Sequence, residues 1–146
     1  MITVSIATCT SFKGSTSALR QDCVRLIDAA LGVTRRPGYS SMRTIASSTH
    51  PARRNTLGTL DAMVLIAAEG QLADDRRTAV SELIKDAIVK VHPGLRISVN
   101  LSLELKVESS IDRSPAIPIR RLEAVRARKV DEEVARLQKL RGTTAA

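Results

Sequence analysis

Met63-Val-Leu-Ile-Ala-Ala68 is a short apolar run that reads as a strand buried on both faces. Asp74 and Asp75 then open an amphipathic segment in which Val80, Ile84, Ile88 and Val91 share one face. Early carboxylates suit the positive end of a helix, and Lys90 and His92 suit the negative end. His92-Pro93-Gly94 stops it. From Arg96 the period drops to two: Ile97, Val99, Leu101, Leu103, Leu105 and Val107 alternate with Ser98, Asn100, Ser102, Glu104 and Lys106. The stretch from Asp61 to Val107 is therefore a strand, helix, strand unit. Its two strands are expected to be parallel, joined by a right-handed crossover.

The N-terminal half repeats this order. Ile2, Val4 and Ile6 alternate with Thr3, Ser5 and Ala7 as a first strand. A turn over Phe12 to Ser17 contains Gly14 and offers Ser15 or Thr16 as a cap. Leu19, Cys23, Ile27 and Ala30 make one face of a helix ending at Gly32. Arg35 to Ser41, with Pro37 and Gly38, reads as a loop, Met42 to Ala46 as a second strand, and the polar stretch Ser47 to Thr59 as an exposed loop. An offset of 61 carries Leu19, Cys23, Ile27 and Ala30 onto Val80, Ile84, Ile88 and Val91, and Ile2 and Val4 onto Met63 and Leu65. A constant offset suggests an internal duplication. The alternative is that strand-helix units look alike at this level of detail.

After Val107 the pattern changes. Residues 109–118 read as a linker with two prolines, and 119–146 as an amphipathic helix and tail. Ile119, Leu122, Val125, Val130, Val134 and Leu137 form its stripe, and Glu132 is spaced to pair with Arg136. The stripe needs a partner surface, on this chain or on a neighbouring subunit. The fold class is α+β: duplicated β-α-β units in a four-stranded mixed sheet, two helices on one face, and an extra C-terminal helix. Residues 1–108 form the repeat domain.

A chain of 146 residues can bury a real core, and the core must be aliphatic because Phe12 and Tyr39 are the only aromatics. The net charge of +8 and pI near 10.3 raise the question of nucleic acid. The cations are spread through the chain, and stacking aromatics are lacking, which argues against such a partner. Cys9 and Cys23 have no metal or redox spacing and read as small buried hydrophobes of a reduced, cytoplasmic protein. Neither a signal peptide nor a membrane span is apparent. No ligand cluster calls for a metal or cofactor. His50 lies in a polar stretch without a triad partner, and His92 reads as a helix-end residue.

The two-fold β-α-β arrangement resembles the tautomerase superfamily, and within it the 5-carboxymethyl-2-hydroxymuconate isomerase family. Ser41-Met-Arg-Thr-Ile-Ala46 and Asp61-Ala-Met-Val-Leu-Ile-Ala-Ala-Glu-Gly-Gln71 carry the resemblance, with Arg76, Ser81-Glu-Leu-Ile-Lys85 and the strand Ile97 to Val107. It covers about residues 1 to 108. It implies trimers or hexamers in which an N-terminal proline shuttles a proton on an unsaturated keto acid while arginines hold the carboxylates. A buried amine near cations can accept a proton near neutrality, and an arginine fork matches a carboxylate. Arg43 matches the family's substrate-binding arginine. Ile2 stands where the family has proline, and Gln71 where many relatives have a basic residue.

A bulky second residue disfavours removal of Met1, so the catalytic candidate is the α-amine of Met1, a base in the range of about 7.7 to 8. Arg43, Ile2, Tyr39 and Phe12 make the substrate-binding set, the two aromatics at the mouth of the site. The leading expectation is a tautomerase or isomerase of a small unsaturated carboxylate, weakly active for want of the proline. The alternatives are a non-catalytic oligomeric ligand-binding or scaffold protein, and a basic nucleic-acid-associated protein. Association of copies is expected, because Met63 to Ala68 needs cover on both sides and the small side chains of the opposite sheet face suit contact with another sheet, and the resemblance implies a homotrimer.

Overall fold

The computed structural model describes residues 2–10, 12, 14–32, 45–53, 57–69, 74–104 and 119–142. Four strands, β1 (Ile2–Cys9), β2 (Ile45–Ala52), β3 (Ala62–Glu69) and β4 (Ile97–Glu104), alternate with α1 (Thr16–Leu31) and α2 (Asp74–Val91), and α3 (Ile119–Arg141) follows. The sheet order is β2-β1-β3-β4. β1 pairs with β2 and β3 with β4 in parallel, while the two halves join antiparallel through β1 and β3. This is the mixed α+β sheet of two β-α-β units that the periodicity predicts.

The helices form where the sequence marks them. Ser15 is the N-cap of α1 and accepts a hydrogen bond from the Ala18 amide at 3.2 Å, satisfying one of the free donors of the first turn. α2 ends at Val91, and Gly94 follows with φ +82°, a left-handed conformation that a side chain would strain. All four predicted positions on each helix (19, 23, 27 and 30; 80, 84, 88 and 91) are buried. They meet Val4, Ile6, Val64 and Ile66 of the central strands in one aliphatic core. Each leucine, isoleucine or valine among them contributes roughly 1.5–3 kcal/mol by leaving water.

α3 packs across α1 and α2 of its own chain, where Val130, Val134 and Leu137 are buried. Arg128 pairs with Glu132 and Arg136 with Glu133, so the pair expected between Glu132 and Arg136 is replaced by these two. In the last turn of α1 there is no basic residue. Arg126 of α3 supplies one: fully buried, it donates from Nε to the Ala30 carbonyl at 2.8 Å and from Nη1 to Glu123 at 2.9 Å. A cation there suits both the free carbonyls and the negative end of the helix.

Two expectations are corrected. The second strand includes residues 47–52, which read as part of an exposed loop; 42–44 lie outside the described residues. β2 is an edge strand and residues 48–51 are exposed, so it lacks the apolar alternation that marks a strand. An edge also tolerates Pro51. The second correction is to the offset. It is 61 in the helices, but in the strands Val4 is fully buried while Leu65 is 47% exposed. Val4 corresponds to Val64 and Ile6 to Ile66, an offset of 60. A shift of one residue in a strand turns every side chain to the other face.

Candidate functional site

One face of the sheet carries the helices, and the other is bare. The strand register puts three rows on the bare face. His50, Ala7, Met63 and Ser98 make the first, Ser48, Ser5, Leu65 and Asn100 the second, and Ala46, Thr3, Ala67 and Ser102 the third. None of the twelve is Lys, Arg, Asp or Glu. A depression of about 280 Å³ lies over the second and third rows, between Thr3, Ser5, Leu65, Ala67, Asn100 and Ser102. Hydroxyl and amide groups there can donate and accept, while Leu65 offers an apolar surface. This surface is equipped for contact with another sheet and has no cation to hold a carboxylate.

Of the predicted site residues, Ile2 and Phe12 are described and are not brought together. Ile2 opens β1 between Ile45 and Ala68 and packs on the rim of the core. Phe12 follows the other end of the strand, its amide donating to the Cys9 carbonyl at 2.9 Å, and also packs on the core. Seven residue-to-residue steps lead from Ile2 to Cys9, roughly 23 Å at about 3.3 Å each. Met1, Tyr39, Arg43 and Gln71 lie outside the described residues. Of the two aromatics expected at the site mouth, Phe12 lies at the far end of β1 from Ile2.

A cluster that the sequence reading missed lies in the helix layer. Asp22 is fully buried in the middle of α1. His92, just past α2, donates from Nε2 to its Oδ2 at 2.8 Å, and Arg141 of α3 grips both oxygens through Nε at 3.1 Å and Nη2 at 2.9 Å. Burial pushes the Asp22 carboxyl up, but the hydrogen bonds and charges of His92 and Arg141 outweigh it and hold it below the usual carboxylate value. The neighbouring Cys23 thiol is pushed up to about 12 by burial and by the Asp22 charge, so it is no nucleophile. The cluster fastens three helices; with its carboxylate sealed off, it has no face toward a substrate. The signal was Asp22 itself, a carboxylate set in the stripe Leu19, Cys23, Leu26.

A wider hollow of about 560 Å³ runs along α1 and α3, where Arg25, Arg136 and Lys139 surround Leu137 and the exposed Leu140. Arg136 is already held by Glu133, at 2.7 Å. Among the described residues no cluster of His, Cys, Asp and Glu could hold a metal, and no helix is long and apolar enough to cross a membrane.

No protein-family model and no curated protein matches the chain. It is similar, at low identity, to solved structures. One, the crystal structure of Pt0534 inactivated by 2-oxo-3-pentynoate, has a TM-score of 0.47 and 14% identity, and covers 78% of this chain and 94% of its own. Another, the Q0 fused 4-OT wild type symmetric trimer, has a TM-score of 0.45 and 13% identity over the same shares. Likenesses this loose leave activity and assembly to be argued from the chain's own residues.

Proposed function

We propose that the chain is a tautomerase-like protein that binds a small unsaturated carboxylate, in the manner of the muconate isomerases, with weak turnover. One observation supports it most. Ile2 and Ile45 are register partners at the start of adjacent parallel strands. Met1 is one residue from the first and Arg43 two from the second. Two residues span at most about 7 Å, so the chain length is compatible with an amine and an arginine acting on one ligand. In this reading the amine takes a proton from an enol oxygen or a carbon of the substrate and returns one to another carbon, and the guanidinium holds the carboxylate as a fork. Without the ring of a proline the amine is less firmly oriented, which is the reason for weak turnover.

Ketonisation of phenylenolpyruvate, followed at several pH values, is the test. Arg43→Ala should lower kcat/KM at least about tenfold, the order of one lost charge-assisted contact. Ile2→Pro should raise the rate. An Arg43→Ala variant as active as the wild type defeats the reading. Binding without turnover in either variant favours a non-catalytic ligand-binding protein.

Self-association through the bare face belongs to the same proposal, three copies being the number the family resemblance suggests. It is supported by the absence of charge from the three rows and by Leu65, one of two large hydrophobic residues exposed among the described residues. Light scattering that finds a monomer at every concentration defeats it.

A further inference from the structure

We propose that His50 makes this association pH-dependent: copies of the chain join through the bare face while His50 is neutral and separate when it is protonated. The inference rests on reading that face as the contact between copies. A second copy is the occupant that the charges favour. The chain carries +8, so two copies repel unless they meet where the cations are not. The three rows are such a place, and a face of hydroxyls, an amide and small apolar groups is complementary to itself.

His50 is the one side chain of the twelve that gains charge near neutral pH. β2 sets it there: the register partner of His50 is Ala7, and Ala7 is in turn the partner of Met63. On its own strand Ser48 and Ala52 flank it, and on β1 Ser5 and Cys9 are diagonal to it. None of these is a carboxylate that could receive an imidazolium. Beyond the first row come Arg53 and the turn where Asp61 holds Arg96, its Oδ2 accepting from the Arg96 amide at 3.0 Å. Glu69 and Glu104 are register partners at the opposite end, roughly 20 Å along the strands and beyond the screening length of about 8 Å. α1 lies behind β2, so its Arg20, Asp22, Arg25 and Asp28 are separated from His50 by the sheet. A protonated His50 enclosed by the three rows of a second copy would lose water, and none of those twelve side chains is a carboxylate that could receive it.

The size of the effect follows. An imidazolium that must shed its proton before the contact can form weakens association about tenfold per copy at pH 5.5. The experiment is a dilution series of the full chain by sedimentation or light scattering at pH 8 and pH 5.5. Three variants accompany the wild type: His50→Gln, neutral throughout; His50→Arg, charged throughout; and Leu65→Arg, which places a cation in the middle of the face. His92 is left intact in all of them, so its contribution is common to every curve. The expected result is a wild type weaker by about tenfold or more at pH 5.5, His50→Gln equally strong at both, and His50→Arg weak at both. Equal strength of the wild type at both pH values overturns the pH dependence; if Leu65→Arg then still separates the copies, the contact itself stands. A Leu65→Arg variant that associates like the wild type, or a wild type that never associates, overturns both.

Discussion

Side chains one residue apart on the central strands have different surroundings. Val4, Ile6, Val64 and Ile66 are at or within 1% of complete burial under the helices, whereas Leu65 between the last two is 47% exposed. The covered side holds branched aliphatics and, deeper in the helix layer, the buried Asp22 and Arg126, each held by hydrogen bonds. The three rows of the bare side hold mostly small residues and no lysine, arginine, aspartate or glutamate. The difference teaches that the side chains holding the chain together lie on one face, so that the other face can change at little cost to the fold.

The largest expected effect breaks the covered side. Ile66→Ala should cost about 3 kcal/mol by denaturant melting, because it leaves a cavity among residues that cannot collapse into it. Leu65→Ala on dilute protein should cost less than about 1 kcal/mol, since its side chain is already half in water. Equal costs would mean that the faces do not differ.

Next comes the buried carboxylate. Asp22→Ala should cost about 3 kcal/mol, the low end for breaking a buried ion pair because Arg141 and His92 keep some access to water. The sign of its pH dependence follows from its lowered pKa. A carboxyl held below its unfolded value near 3.8 contributes in full above that value, and the contribution is lost as pH falls through the folded value. The stability gap between wild type and Asp22→Asn should therefore be complete at pH 6 and shrink below pH 3.8 in urea melts. A gap that widens in acid would reverse the assignment.

The smallest effect is a reciprocal swap on adjacent residues. Val4→Thr buries a hydroxyl on the covered side and should cost about 1–2 kcal/mol. Thr3→Val, on the bare side, should stay within about 0.5 kcal/mol. Thermal melts of the two single variants distinguish them.

Much of this architecture was legible in the sequence because helix faces and half-buried strands are periodic. The stripes at 19, 23, 27, 30 and 80, 84, 88, 91, and the alternation from Ile97, needed no knowledge of tertiary contacts. β2 was not legible, since Ser47, Ser48 and Thr49 sit where the helix layer gives little cover and carry no apolar pattern. The one-residue difference between strand and helix offsets was hidden because Met63 to Ala68 is apolar on both faces. The Asp22 cluster joins residues 70 and 119 positions apart, and no local period encodes that. Of the candidate site, Ile2 was legible as the first residue of a strand, while its separation from Phe12 follows from where β1 ends and was visible only once that end was known.

The grip of Arg141 on Asp22 also bears on the order of events in folding. It closes a loop of 119 residues, one of the longest the chain can make. Contacts that distant are made late, after local helices and neighbouring strands have formed. An interaction absent from the folding transition state acts on escape from the native state. Arg141→Ala should therefore leave the refolding rate nearly unchanged and speed unfolding, so that the clamp serves as a latch on the lifetime of the folded chain.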